Sequence, residues 1–252
     1  MTDTHSHLHL LPEPQEALQR ASGLRAILTL GTDVASSASA TRYASRFANV
    51  YAAVGLHPTE ASLFDSEVAA SLRELAQQPR VRASGETGID YYWDAASREE
   101  QLRVLDFQLE LANDNDLAMV FHVRSQKNRD DAERDLQSWL EANKPQRFVL
   151  HAFGGDMALA ESATALGGYV SFAGNLTYKK NRRLREIAGL LPLERLLVET
   201  DSPYLPPEPM RGKKNEPLFV RYTLEALANS RGLPFEEMER ISDENARRLF
   251  RW

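Results

Sequence analysis

The chain has 252 residues and no cysteine. This absence excludes a disulfide framework, a thiolate nucleophile and a metal site built from cysteine sulfur. Any metal ion must therefore be bound by histidine and carboxylate side chains.

A long apolar run is also missing, and the amino terminus has no basic segment followed by an apolar one. We therefore expect no membrane span, no secretion leader and no membrane partner, and we expect a cytoplasmic protein.

Basic residues are not in excess, since 30 Lys and Arg face 36 Asp and Glu and give a net charge of −6. Proteins that coat nucleic acid non-specifically depend on a basic surface, so the charge argues against that class. An enzyme that handles nucleic acid in a local pocket is still compatible with it, because metal ions supply positive charge there.

No low-complexity segment, charge block or Pro/Gly-rich linker divides the chain. With 42% hydrophobic and 26% charged residues, the composition is that of an ordinary globular protein. We therefore expect a single domain that spans residues 1–252.

Short apolar runs alternate with longer segments of helical periodicity along the whole chain. Eight runs are predicted to be strands: the segment around His5 and His7, Arg25–Leu30, Val50–Val54, Val81–Ser84, Leu117–Phe121, Arg147–Leu150, Gly168–Phe172 and Leu196–Glu199. Repeated βα units imply a parallel sheet, and eight of them imply an α/β fold of the TIM (β/α)8 barrel type. An open doubly wound sheet is the alternative, but the first strand is not followed by a Gly-rich dinucleotide turn.

One helix start has a specific signature. Ser97 is a predicted N-cap, and Glu100 three residues later completes a capping box before a helix that continues to about Asn113. The helical tail of residues 216–250 is predicted to break near Gly232.

Metal-competent residues lie where the predicted strands end. His5 and His7 alternate along the first strand and therefore point to the same side. The remaining strand ends carry His57, Glu86, His122, His151 and Asp201. Because active sites of TIM barrels lie at the carboxyl ends of the strands, this constellation predicts a metal site; only His9 does not obviously join it.

This donor set exceeds what one tetrahedral ion needs. It suits two divalent ions about 3.5–4 Å apart that share Glu86 and a water, a pair that activates water against a phosphoryl group. In this interpretation Asp201 binds a metal ion and also accepts the proton of the attacking water.

Basic residues near the same strand ends favour an anionic substrate. Arg124 lies two residues past His122 and is able to bind phosphate through two hydrogen bonds. Further basic residues follow strands seven and eight: Lys179, Lys180, Arg182, Arg183, Arg211, Lys213 and Lys214. A solvated loop explains any single one of them better than a phosphate contact does, so Arg124 alone is predicted to bind phosphate.

At this point the motifs resemble those of the TatD family of metal-dependent hydrolases. The ordered segments that carry the resemblance are Thr4–Leu8, Val54–Pro58, Gly85–Tyr91, His122–Arg124, His151–Gly155 and Glu199–Leu205, and Arg211–Lys213, Asn215–Pro217 and Asn245–Phe250 extend it to the carboxyl terminus. The resemblance implies an amidohydrolase-like TIM barrel with one to three metal ions and the activity of a deoxyribonuclease.

The resemblance also implies roles for individual residues. The implied metal ligands are His5, His7, Glu86, His122, His151 and Asp201. His57 is implied to face the substrate phosphate, and Glu199 is implied to support a ligand. No ligand position is substituted.

We therefore expect a hydrolase that cleaves DNA phosphodiester bonds, acting as a 3′–5′ exonuclease on single strands or 3′ ends. Glu86, Asp201, His57 and Arg124 are the expected catalytic residues. Two ions chosen from Mg, Mn, Zn and Ni are the expected cofactors, with no obligate protein partner and a monomer as the default.

Two rival interpretations are open. One is an amidohydrolase-like enzyme for a small amide, lactone or phosphotriester, although many such enzymes use a bridging lysine and none lies beside Glu86. The other is a non-catalytic partner in protein quality control or export, which the complete ligand set disfavours.

Overall fold

The structure, a computed structural model, describes all residues from 1 to 252. Its eight strands are β1 (Thr2–Ser6), β2 (Ala26–Leu30), β3 (Val50–Val54), β4 (Val81–Asp90), β5 (Ala118–Arg124), β6 (Phe148–Leu150), β7 (Tyr169–Phe172) and β8 (Leu196–Val198). Its nine helices are α1 (Pro14–Arg20), α2 (Val34–Arg46), α3 (Ser66–Ala76), α4 (Arg98–Asp114), α5 (Asp131–Asn143), α6 (Met157–Ala165), α7 (Arg182–Leu190), α8 (Val220–Arg231) and α9 (Phe235–Phe250).

All neighbouring strands pair in parallel, in the order in which they occur along the chain. The last strand returns to the first: Ser6 and Ser202 form a parallel bridge. The His7 N–H donates to Ser202 O at 2.7 Å, and the Asp201 N–H donates to His5 O at 2.9 Å. The predicted α/β fold, a TIM barrel of eight βα units in a single domain, is confirmed.

The apolar side chains form two separate cores. The larger core contains 50 buried residues and fills the layer between the strands and the surrounding helices. The smaller core contains 12 buried residues and fills the barrel interior, where Val120, Val149 and Leu197 meet Leu249 and Phe250 of α9. The barrel is thus closed at the end where its strands begin.

The side chains that point into the barrel change in character along the strands, from the inner core to the opposite end. Alternate residues of a strand share a face. His122, two positions after Val120, and His151, two positions after Val149, therefore point to the same side as these inner-core valines. The apolar interior therefore gives way to histidine and carboxylate side chains at the carboxyl ends of the strands.

Local signals explain several boundaries. The capping box predicted at Ser97 is confirmed, with the Ser97 hydroxyl accepting from the Glu100 N–H and the Glu100 carboxylate accepting from the Ser97 N–H. The helical tail is interrupted as predicted, since Gly232 ends α8 in the left-handed conformation at φ 65°. No helix combines the length and the hydropathy needed to cross a bilayer.

Two strands are longer than predicted. The expected β4 ended at Ser84 and the expected β5 at Phe121, whereas pairing continues to Asp90 and Arg124. Gly88 explains the difference: a Cβ there would lie 2.0 Å from His122 O, and its φ is +136°. This glycine does not end the strand but lets two backbones approach closely.

Candidate metal centre

Six side chains with metal-binding atoms converge at the carboxyl end of the barrel. They are His5 in β1, His7 just beyond it, Glu86 in β4, His122 in β5, His151 after β6 and Asp201 after β8. All are buried except His122, which is half-buried. The structure thus brings together every residue that the sequence analysis named as a candidate ligand.

Glu86 lies at the centre of this group, and its two oxygens face different histidines. Its Oε2 is 3.5 Å from His5 Nε2 and 3.4 Å from His7 Nε2. Its Oε1 is 3.0 Å from His122 Nδ1 and 2.8 Å from His151 Nε2. The Glu86 carboxylate would therefore be within reach of an ion held by either histidine pair.

The six candidate ligands include two trios of suitable size, and two further trios combine some of them with Glu199 or with His57 and Asp90. The first trio is His5, His7 and Glu86 Oε2, and the second is His122, His151 and Glu86 Oε1. The histidine nitrogens are 3.1 Å apart in the first trio and 3.4 Å apart in the second. Bonds of about 2.0–2.1 Å to a tetrahedral ion place two ligands roughly 3.4 Å apart, so each trio fits one ion. Asp201 Oδ1, at 3.7 Å from both histidines of the first trio, lies beside that site.

The proton positions of two histidines also fit bound cations. His151 has Glu199 Oε1 3.2 Å from Nδ1 and Glu86 beyond Nε2. His122 has Asp90 Oδ2 2.9 Å from Nε2 and Glu86 beyond Nδ1. Carboxylates only accept hydrogen bonds, so each imidazole needs either a second proton or a metal ion on the side of Glu86.

The pKa values of these histidines follow from the same contacts. Burial alone would lower the pKa of His151, but Glu86 and Glu199 outweigh it and raise that pKa well above the usual value. The pKa of His122 also rises, against burial, through Asp90 and Glu86. The metal-free site therefore holds protons where it would otherwise hold cations.

The carboxylates divide into two kinds. Burial acts to raise the pKa of Glu86, but the nearby His151 and His57 reverse the shift and bring that pKa well below its usual range. For Asp201 burial prevails and raises the pKa to about 7. Glu86 is thus ionised at neutral pH, whereas Asp201 titrates near neutral pH.

Asp201 is held in place by residues from the opposite ends of the chain. Its backbone is left-handed, with φ 55°, a conformation that aspartate tolerates better than most residues. The carboxylate of Asp3 accepts from the Thr200 N–H at 2.8 Å and from the Thr200 hydroxyl at 2.7 Å. Asn215 donates to Thr200 O at 2.8 Å. These bonds fix the turn that directs the Asp201 carboxylate toward the histidines.

Two further carboxylates lie behind the ligands. Glu199, which the resemblance named as a support, contacts His151 and also accepts from the Ala152 N–H at 2.8 Å. Asp90, which contacts His122, received no role from the sequence although it lies in a recognised motif. Asp90 is on the same face of β4 as Glu86, four residues earlier, and this spacing would have revealed it had β4 been predicted at its full length.

The other two histidines are placed differently. His57 is half-buried, with Nε2 3.5 Å from Glu86 Oε1 and Nδ1 2.7 Å from Thr59 Oγ1, so it lies at the edge of the second trio. His9 stacks edge-on near His7 with ring centroids 5.8 Å apart and stays outside the donor group.

The predicted phosphate contacts are all exposed. Arg124 lies at the end of β5, and its guanidinium carbon is 3.7 Å from the centre of the Tyr92 ring. Arg182, the first residue of α7, is paired with Glu186 at 2.7 Å, and Arg211, in the segment after β8, lies over the Tyr178 ring. The remaining members of the basic set that follows β7 and β8 are also exposed, which agrees with the alternative that they are solvated surface residues.

Comparisons with known proteins place this geometry in context. Residues 2–251 match the family model described as TatD related DNase. The metal-dependent hydrolase YabD of Bacillus subtilis (strain 168) is 34% identical over 256 residues, which cover 99% of this chain and 98% of YabD. The 3′-5′ ssDNA/RNA exonuclease TatD of Pantoea vagans (strain C9-1) is 35% identical over 245 residues, which cover 94% of this chain and 93% of that enzyme.

A solved structure agrees with these sequence matches. The crystal structure of YjjV, a TatD homologue from Escherichia coli K12, superposes with a TM-score of 0.90 at 30% identity and covers 100% of this chain and 98% of YjjV.

Proposed function

The chain belongs to the TatD-related DNase family of metal-dependent hydrolases, and we propose that it is a nuclease that removes nucleotides from the 3′ ends of single-stranded DNA. The observation that carries this proposal is the pair of donor trios that share Glu86. Two adjacent divalent cations suit the attacking and leaving oxygens of phosphodiester hydrolysis. The P. vagans relative named as an ssDNA/RNA exonuclease supports the choice of substrate.

In this proposal residues 1–252 form one hydrolase domain, and His5, His7, His122, His151, Glu86 and Asp201 hold two divalent ions. When bound, Mg, Mn, Zn or Ni would polarise the phosphodiester and lower the pKa of the attacking water. Glu199 and Asp90 orient two of the ligand imidazoles by accepting from their outer nitrogens.

The remaining residues handle the proton and the phosphate. The Asp201 carboxylate, 8% exposed beside the first trio, accepts the proton of the attacking water. His57, at the edge of the second trio, and Arg124, at the rim, hold the non-bridging phosphate oxygens by hydrogen bonds.

The test uses metal-stripped protein and end-labelled single-stranded DNA, with Mg, Mn, Ni or Zn added back one at a time. We expect metal-dependent shortening from the 3′ end, and almost none with Asp201→Asn. An Arg124→Ala variant should show a raised KM if the contact is equally strong in the ground state and transition state, or a lowered kcat if it forms only in the transition state.

The alternative is an amidohydrolase-like enzyme for a small non-nucleic-acid substrate. A folded protein that binds ions but shortens no DNA with any metal would favour it, and small phosphoesters and amides are then the next substrates. Activity on both DNA and phosphoesters that is retained in Asp201→Asn would contradict the proposed role of that residue.

A further inference from the structure

Exposed apolar side chains are concentrated at one end of the barrel. Six large apolar residues are exposed: Leu10, Leu63, Tyr92, Trp93, Leu190 and Tyr204. All but Leu190 lie in segments that directly follow a strand, and therefore surround the metal centre. Exposed apolar groups gathered around a functional opening mark a binding surface rather than chance exposure.

The most prominent of these is the pair that follows β4. Tyr92 is 42% exposed and Trp93 is 56% exposed, and their ring centroids are 4.9 Å apart in an edge-to-face arrangement. The Arg124 guanidinium lies 3.7 Å from the Tyr92 centroid and 6.0 Å from the Trp93 centroid. We call Tyr92, Trp93 and Arg124 the aromatic platform.

The aromatic platform is fixed to the metal centre through one carboxylate. Asp90 Oδ1 accepts from the backbone N–H groups of Tyr92 at 2.8 Å and of Trp93 at 3.1 Å. Its Oδ2 contacts His122 at 2.9 Å. Gln101 braces the same loop, since its amide donates to the carbonyls of Asp90 and Ala96. The backbone that carries the two rings is thus held in position before any ligand binds, which lowers the entropic cost of binding.

We propose that the aromatic platform is a stacking site for an unpaired nucleobase of the strand whose phosphate lies at the metal centre; this inference rests on the proposed function. Aromatic rings stack on every base because every base has a π face, so the contact is tolerant of sequence. In a duplex both faces of a base are already covered by its neighbours. The platform therefore selects single strands and frayed ends.

The position of Tyr204 agrees with a strand that crosses the opening. This residue is 54% exposed, follows β8 and lies edge-on to His7 with centroids 6.1 Å apart. Strands β4 and β8 are four places apart in a ring of eight, so Tyr204 and the aromatic platform lie on opposite sides of the metal centre. A strand held at both sides carries its scissile phosphate between them.

Binding is tested without turnover through the emission of Trp93. Of the three tryptophans, Trp139 is buried and Trp252 is half-buried at the far end of the barrel. Stacking on a base quenches indole emission, so the metal-loaded protein is titrated with phosphorothioate-linked oligothymidylate, which resists hydrolysis, and with an abasic strand of the same linkage, length and charge. We expect quenching by oligothymidylate only, and none in Trp93→Leu. Equal quenching by both strands, or by neither, would overturn the proposal.

Steady-state kinetics provide the second test. The variants distinguish the effect of an aromatic ring at position 93 from the effect of an apolar side chain without a ring. Trp93→Leu should raise KM for single-stranded DNA about tenfold, whereas Trp93→Phe should stay close to the wild-type protein. The abasic strand should show no difference between the three proteins. Leu190→Ala, which removes an aliphatic side chain that is 73% exposed at the carboxyl end of α7, away from the segments that directly follow a strand, is the matched control and should be neutral.

The outcomes distinguish this proposal from the proposed function. Cleavage that is unchanged in Trp93→Leu overturns the platform and leaves the nuclease in place. If the wild-type protein cleaves no DNA, the nuclease proposal fails, and the fluorescence titration alone decides whether the platform binds bases.

Discussion

The two ends of the barrel differ in what they bury: one buries a cluster of ionisable side chains, and the other buries mainly apolar ones. The carboxyl ends of the strands bring four histidines and two carboxylates within a few ångströms of one another, with left-handed backbone at Ala152 and Asp201. The amino ends are closed by stacked rings, in which Trp252 lies 4.7 Å from Phe250 and 4.8 Å from Tyr51. The comparison indicates that activity and stability are assigned to different ends of one barrel.

Two arginines at the amino end contact neighbouring elements. Arg80 lies 4.3 Å from the Tyr51 centroid and donates to Val50 O. Arg147 donates to Leu249 O at 2.6 Å and pairs with Asp116. Every such contact joins α9 or a strand start to its neighbours, so this end should respond to substitution through the free energy of unfolding.

The largest effect should come from Glu86→Gln. A neutral amide cannot serve both trios as a charged bridge, so we expect the hydrolase activity to fall about 10³-fold or more. The metal-free protein should also unfold at a lower temperature, because glutamine removes the buried charge that offsets the protonated His151, so the rate is compared per folded molecule. Steady-state kinetics and calorimetry on the same sample measure activity and stability. A large loss of stability with retained activity would contradict the assignment of this end of the barrel to activity.

Phe250→Ala should show the reverse pattern. Phe250 is fully buried in the inner core, so its truncation should cost about 3–5 kcal/mol of unfolding free energy. The rate per folded molecule at 25 °C should stay unchanged, because the substitution lies at the far end from the ligands. Urea unfolding measures the loss of stability, and titration with metal measures the number of intact sites. A lowered metal content in folded Phe250→Ala would show that the amino end also affects the metal centre.

A third test uses pH on metal-free protein. The pKa of Asp201 is about 7 in the folded protein against an ordinary 3.8, so the folded carboxyl keeps its proton after the unfolded one has lost it. The Asp201 contribution to stability therefore falls as pH rises from about 4 to 7. The Asp201→Asn variant lacks this loss. Its free energy of unfolding at pH 8 should therefore exceed that of the wild-type protein by up to about 4 kcal/mol.

The control for this test is pH 4, where the difference between the two proteins should largely vanish. Chemical unfolding with chelator present gives the comparison at each pH, and added metal should favour the wild-type protein. Parallel pH profiles for the two proteins would show that Asp201 is not the group that titrates.

The smallest effect is expected at an exposed ion pair of the amino end. Asp116 pairs with Arg147 and Arg251 but has a side chain that is 58% exposed. Asp116→Asn should therefore cost less than about 1 kcal/mol and leave the activity unchanged. A cost of several kcal/mol in thermal unfolding would show that surface charge, and not the ring stack, stabilises this end.

Much of this division could be predicted from the sequence. The bounds of β3 at Val50–Val54 were predicted without error, and the donor residues were placed at strand ends, because apolar runs of strand length are visible in a sequence. Barrel geometry then gathers strand ends into one site. The capping box at Ser97 was predictable for the same reason, since it depends on residues three apart.

Other features depend on register between strands, which apolar runs do not encode. The extension of β4 past Gly88 relies on its pairing with β5, and this pairing brings Asp90 to His122. The division of the donors into two trios around Glu86 required distances across four strands. The aromatic platform also escaped prediction, because exposure of Trp93 is not visible in its sequence neighbours.

The seam between β1 and β8 has a consequence for when the protein becomes active. Asp3 and Thr200 are 197 residues apart along the chain, yet their hydrogen bonds fix the Asp201 turn beside His5 and His7. During synthesis, His5 and His7 are therefore added long before Asp201. We therefore expect chains that stop before Thr200 to lack hydrolase activity, so that the enzyme becomes active only after β8 has been made.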